Sequence, residues 1–373
     1  MTPRVLFIGR GRLTLPLSPF QRWKWDALSE VFDLRVLNAG TGSGDPRFRL
    51  LPEDAVGFYP RLPFAVARLL RAFPADVIVA SDPYVGAAAR AGSALARARA
   101  RLVVELHGDP RTFTRAYGSP VRRLVSLPAD AVARWGIRQA DATRAVSAFT
   151  SAVVAEVTGG PATVCLPALI DVGAFCDPPL VPVPDARRIV FVGALETYKN
   201  VDGLAAAWRR VAAVHPDAVL AVVGRGSRHE VIDRLVADLP RQVEHHPELG
   251  SAGVAAQIDA ARALVLPSYP EGLGRVVLEA FARGRMVVAT DGGGIPDMAT
   301  DGVDAILTPP FDTNALAAAL ARVLDDKELA DRFGSAAHAS YARWHQTAAD
   351  FARAYRGLVR DLIEADLAVE AER

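Results

Sequence analysis

Short apolar, β-branched runs alternate along the chain with longer stretches whose apolar residues recur every three to four positions. That is the pattern of βαβ units and parallel sheets. In the first half it predicts strands over Arg4–Gly9, Leu34–Leu37, Asp76–Ser81, Arg101–Leu106, Ala142–Val146 and Ala162–Leu166, with helices such as Pro60–Phe73 and Pro83–Ala98 between them. Residues 177–187 (DPPLVPVPDAR) are rich in proline, which fixes φ and cannot donate to a β-ladder, so this stretch reads as an extended linker and hinge. The alternation then restarts. Arg188–Gly193, Ala218–Gly224, Ala263–Pro267, Met286–Thr290 and Ala305–Thr308 are near-continuous apolar runs, as strands buried on both faces are. Helices are predicted over Val201–Val214, Glu230–Ala237, Arg275–Arg283, Thr313–Leu324 and the tail Ala348–Ala371. The expected architecture is α/β: two Rossmann-like domains, with ligand sites at the carboxyl ends of the strands and therefore in the cleft if those edges face each other.

Composition narrows the class. The 373 residues exceed what one hydrophobic core normally organises, and 51% apolar with 23% charged residues excludes wholesale disorder. A net charge of +1 announces no nucleic-acid partner, although residues 1–177 net +7 and the remainder −6. Cys165 and Cys176 form neither a disulfide framework nor a zinc cluster, which fits a reducing compartment. Arg4, Arg10 and Arg12 interrupt any signal-peptide core, and no apolar run reaches the roughly 18 residues of a membrane span. The expected location is cytoplasmic, with peripheral contact at the inner face of an anionic membrane as an option. Two arginine-bearing stretches, Tyr59–Phe73 and Arg111–Arg138 (with Arg115, Arg122, Arg123, Arg134 and Trp135), are basic amphipathic surfaces or ordinary surface helices.

The richest chemistry lies between Leu264 and Asp297. A buried strand ends at Pro267–Ser268, and Glu271-Gly272-Leu273-Gly274 precedes the helix Arg275–Arg283. Glycines let backbone approach a ligand, and a helix start offers unpaired N–H groups with partial positive charge, a ready site for a diphosphate. Glu279 lies roughly 8 Å along that helix and Glu271 before it. Two carboxylates flanking an anion site match a nucleotide sugar, with ribose diol at one end and hexose hydroxyls at the other. The plainer alternative makes Arg275, Glu279 and Arg283 a solvent-facing stripe of helix ion pairs.

This segment resembles the donor-site signature of family 4 retaining glycosyltransferases with the GT-B fold, in which a Glu, seven residues and a second Glu frame the donor. Asp291-Gly292-Gly293-Gly294-Ile295-Pro296-Asp297 is similar to the family's Gly-Gly-x-Pro-Glu element, with Asp297 replacing Glu. Phe191–Asn200 (FVGALETYKN) looks like its Val-Gly-Arg-Leu…Lys-Gly motif, whose Arg and Lys bind the diphosphate; Lys199 takes the lysine place and Ala194 the arginine place. The resemblance implies that Arg225, Arg10 or Arg12 replaces the absent cation. It places the Gly9-Arg10-Gly11 turn beneath the donor phosphates, His107 (in Glu105–Asp109) beside the transferred sugar, and Ser147 at a strand end where a helix N-cap is an equal reading. It also implies that the leaving phosphate takes the acceptor's proton.

The whole reading is a hexosyltransferase that retains anomeric configuration and uses no metal. It would have an acceptor domain (1–176), a donor domain (177–345) and a C-terminal helix (346–373) packing back on the first. His107, Lys199 and Glu271 form the expected catalytic set; Gly9, Gly11, Arg225, Gly272, Leu273, Gly274 and Glu279 bind the donor. No cofactor is expected beyond the nucleoside-diphosphate sugar as co-substrate, and the acceptor is a lipid, glycan or natural product. The alternatives are a sugar-nucleotide epimerase on the same fold and a non-catalytic sugar-nucleotide-binding subunit. An NAD-dependent oxidoreductase is disfavoured because Gly9-Arg10-Gly11 lacks the third glycine of the dinucleotide fingerprint.

Overall fold

The computed structural model describes residues 2–52, 57–115 and 126–371. The chain divides into two compact units, one built from Met1–Arg111, Val125–Leu169 and Gln346–Arg373, the other chiefly from Ile170–His345. Among the described residues the first unit carries a seven-stranded parallel sheet: β1 (Arg4–Thr14), β2 (Asp33–Thr41), β3 (Phe48–Leu51), β4 (Val77–Ala80), β5 (Arg101–Leu106), β6 (Ala142–Ala145) and β7 (Val164–Cys165), in the order β3-β2-β1-β4-β5-β6-β7. The second unit's six strands, β8 (Arg188–Val192), β9 (Val219–Val223), β10 (Val243–His246), β11 (Ala263–Leu266), β12 (Met286–Thr290) and β13 (Ala305–Thr308), run in the order β10-β9-β8-β11-β12-β13. Strand order reverses between β1 and β4 and between β8 and β11. In open α/β sheets ligands bind at such switch points, outside the carboxyl ends of the strands.

The central strands are covered on both faces, which is why they read as unbroken apolar runs. The two strands missed from the sequence sit at sheet edges: β3 is only four residues long, and β10 (VEHH) is too polar to stand out. The helix Pro19–Val31 also escaped, although Ser18 and Gln21 form a capping box at its start. The C-terminal helix Ala348–Ala371 belongs to the first unit, where Phe351, Ala352, Tyr355, Leu358 and Val359 join Phe7, Trp25 and Leu28 in one core.

Two expectations need correction. Gly9-Arg10-Gly11 is not a turn after β1 but part of it: the strand continues to Thr14, Leu13 and Thr14 pair with Gly40 and Thr41, and the extra residues form a bulge between Gly9 and Leu13. The proline-rich segment is extended, yet it is no free linker. Arg283 donates to the carbonyls of Pro178 and Pro179, Arg285 to those of Val181 and Pro182, and Arg262 to those of Pro184 and Asp185. These three arginines are buried, so the segment is strapped to the second unit.

Candidate functional site

The second unit's switch point lies between the loop after β8 and the loop after β11. After β8 the chain passes through Gly193–Glu196 into a 3₁₀ turn, Thr197–Lys199, and Asn200 takes a left-handed conformation (φ 52°) to enter the helix Val201–Val214. Leu195 is fully buried and anchors the loop, while its backbone N–H and C=O bond Arg225 O and Arg228 N of the loop after β9. Gly224 and Gly226 are required there, since a Cβ at either would lie 1.9 and 2.5 Å from the carbonyl oxygens of Gly193 and Leu195. Lys199 is thereby aimed across the switch point. Its ammonium forms an ion pair with Glu271, both side chains largely buried, and lies 5.0 Å from the centre of the Tyr198 ring. A backbone bond of 2.8 Å from Tyr269 N to Tyr198 O ties the two loops together.

Beyond Glu271, Gly274 adopts φ 79° and opens the helix Arg275–Ala282 without any side-chain cap; Val277 N donates to Gly274 O at 2.8 Å, and the N–H groups of Arg275 and Val276 face the helix start with no side chain capping them. Leu273 is buried, so the segment Gly272–Gly274 offers a ligand backbone rather than side chains. The triple-glycine loop supports it from below: Gly294 N donates to Glu271 O at 2.8 Å, and Gly293 (φ 64°) packs so closely that a Cβ would lie 2.3 Å from that oxygen. Ser268 is fully buried with its hydroxyl unpartnered among the described residues.

Glu279 is not part of a solvent stripe. It is 6% exposed, burial pushes its carboxyl above the ordinary range, and Arg275, accepted by Oε1 at 3.2 Å, opposes that shift. Arg283 is buried against Asp259. Arg225 is largely exposed and pairs with Glu248 at 2.9 Å; with Gly226, His229, Asp233, His245 and Pro247 it lines an open groove of about 640 Å³ at the ends of β9 and β10. Lys199, Glu271 and Gly272–Gly274 are thus brought together, with Glu279 farther along the same helix.

The remaining expected residues lie in the first unit. His107 follows β5, and its Nε2 sits 3.2 Å from Glu105 Oε2. Gly9 lies against Asn38, and Gly11 accepts a hydrogen bond from the same side chain. Ser147 is the helix N-cap, bonding Thr150 N at 3.1 Å in a capping box. Helix Phe58–Ala72 turns its apolar face (Leu62, Val66 and Leu70) into the core, which makes it an ordinary surface helix. Arg122 and Arg123 lie outside the described residues. Glu105 and Arg144 are functional candidates that the pattern reading passed over. The available signal was a charge inside each of two short, largely apolar runs; that the two pair in register is seen only in the structure. Among the described residues no group of three or more His, Cys, Asp and Glu is placed to hold a metal ion, and no helix is long and apolar enough to cross a membrane.

Two parallel-sheet units, with a cation and a carboxylate paired across one switch point and an uncapped helix start beside them, define a two-domain GT-B protein. Sequence models of two glycosyltransferase domains match the chain: "Glycosyl transferases group 1" over residues 178–340 and "Glycosyl transferase 4-like domain" over 19–167. The chain belongs to the family 4 glycosyltransferases. It is 35% identical over 190 residues to a D-inositol 3-phosphate glycosyltransferase of Streptomyces griseus (48% of this chain, 40% of the relative). Over 223 residues it is 31% identical to a glycogen synthase of Mycobacterium tuberculosis (57% and 52%). These matches span about half the length of the curated relatives. Among solved structures it resembles sucrose-phosphate synthase from Thermosynechococcus elongatus (TM-score 0.74, 20% identity, 96% of this chain and 100% of that one). It also resembles HepE from Anabaena in complex with UDP (TM-score 0.66, 18% identity, 99% and 100%).

Proposed function

We propose that the protein transfers a hexose from a nucleoside-diphosphate sugar to an acceptor hydroxyl with retention of configuration. The observation that carries this reading is the Lys199–Glu271 pair across the β8/β11 switch point, beside the uncapped helix start at Gly272–Gly274. In the free protein Glu271 neutralises Lys199. An arriving diphosphate carries more charge than one carboxylate, so it competes for the ammonium and frees Glu271 to accept hydrogen bonds from sugar hydroxyls. As the glycosidic bond breaks, negative charge grows on the leaving phosphate, where Lys199 and the first-turn N–H groups stabilise it without a metal. Glu279 accepts from the ribose, His107 contacts the transferred sugar, and the leaving phosphate takes the acceptor's proton. The UDP bound by HepE supports a nucleotide donor. An inositol phosphate acceptor, as in the name of the Streptomyces relative, is one of the small-molecule options. A membrane-borne acceptor draws support from the exposed Leu127, Val132 and Trp135 on the helix Ser126–Arg138, alongside Arg134 and Arg138.

The test is a thermal-shift panel of UDP-glucose, GDP-mannose, ADP-glucose and TDP-glucose, followed by NMR of the product's anomeric centre. A true donor at a hundred times its dissociation constant adds about 2.7 kcal/mol of stability. If none of the four raises the melting temperature, the donor site is misread. An inverted product would remove the retaining assignment alone.

A further inference from the structure

The first unit buries a charged network that the proposed chemistry does not yet use. Glu105 on β5 and Arg144 on β6 are directly paired in register, inside strands that are otherwise largely apolar. Arg144, 1% exposed, donates to Glu105 Oε1 at 2.6 Å, to the Pro167 carbonyl at 2.8 Å and to the Tyr355 hydroxyl at 3.1 Å, and lies over the Phe351 and Tyr355 rings. A buried ion pair contributes no more to stability than a well-packed apolar pair would, so packing alone does not explain this one. It opens toward solvent at His107, with 44% of its side chain exposed and Nε2 against the other oxygen of Glu105. An ionised carboxylate only accepts hydrogen bonds, so Nε2 carries the proton and Nδ1 is left as the acceptor of the neutral ring.

We infer that Glu105, held by Arg144 and Tyr355, is the positioning residue that fixes the tautomer and orientation of His107 for sugar transfer. This rests on the reading of His107 as the sugar contact. The other charged groups facing the pair are Lys24 of the helix Pro19–Val31 and Asp82 at the end of β4. Burial opposes ionisation of Glu105, but Arg144, His107 and Lys24 outweigh it and hold the carboxyl down at about 2, so it stays a hydrogen-bond acceptor at neutral pH. The test combines imidazole ¹⁵N NMR with turnover, read as nucleoside-diphosphate release from whichever donor of the four-sugar panel stabilises the protein. In the wild type, neutral His107 is expected as the Nε2–H tautomer. In Glu105→Gln the Nε2–H preference is lost, and kcat falls about 10- to 100-fold with donor KM within about twofold. An unchanged Nε2–H preference in that variant overturns the positioning role. A lost Nε2–H preference with unchanged kcat overturns its use in transfer, because His107 then lies away from the reacting sugar. If Glu105→Gln fails to fold, the wild type alone decides, and an Nδ1–H tautomer sinks the proposal.

Discussion

Lys199 and Glu279 show how the same residue type acquires a role from its surroundings. Only three lysines occur in the chain, and this one is drawn onto a carboxylate across the switch point instead of into solvent. Lys199→Ala is expected to lower kcat by two or more orders of magnitude at saturating donor, since a cation beside a leaving diphosphate acts mainly on the transition state. Near-wild-type turnover would move the diphosphate elsewhere. Glu279 acts on binding instead. Burial already disfavours its ionised form, and a ribose diol supplies the hydrogen bonds that water cannot reach to give. Glu279→Ala should therefore weaken nucleotide binding about 10-fold or more by calorimetry, at the scale of one to two charged hydrogen bonds. The position of Glu279 was legible in the Glu-x₇-Glu spacing. Its burial was not, because the i, i+4, i+8 spacing of Arg275, Glu279 and Arg283 fits a surface stripe equally well.

At the scale of elements, backbone geometry builds the donor site. The loop after β12 holds the loop after β11 through Gly293 and Gly294, and the loop after β9 holds the loop after β8 through Gly224 and Gly226. Gly293→Ala would combine a left-handed φ with a Cβ pressed onto the Glu271 carbonyl. It should cost about 1–3 kcal/mol in urea unfolding and displace Glu271, so donor affinity falls together with stability. Retained affinity would show that the Glu271 loop is positioned from elsewhere. Buried strands were readable because burial on both faces leaves an unbroken apolar signature. Edge strands β3 and β10 were not, since half their surroundings are polar. The proline segment misled for a related reason: its composition describes its own backbone, while the arginines that bind it come from 77 to 105 positions away.

For the molecule as a whole, the C-terminal helix closes the first unit's core and brings Tyr355 onto Arg144, linking the last segment of the chain to β6. The buried cluster also sets an acid limit. Glu105 titrates at about 2 in the folded protein against an ordinary 4.5, so its contribution is complete above about 4.5 and is lost as pH falls toward 2. Wild-type stability, followed by urea midpoint, should drop across that window by up to about 3 kcal/mol from this group. Glu105→Gln should be less stable at neutral pH but flatter between those limits; an equal slope in both proteins would show that Glu105 is not held by Arg144. The sequence by itself determined the two α/β units, most of their strands and the glycine-framed anion site, because hydrophobic period and backbone freedom are local properties. Only the tertiary structure decided that Lys199 meets Glu271, that Glu279 is buried, and that Glu105, Arg144 and Tyr355 stand behind His107. The Glu105–Arg144, Lys199–Glu271 and Arg144–Tyr355 contacts join residues 39, 72 and 211 positions apart, brought together by strand order and register, which no local pattern encodes.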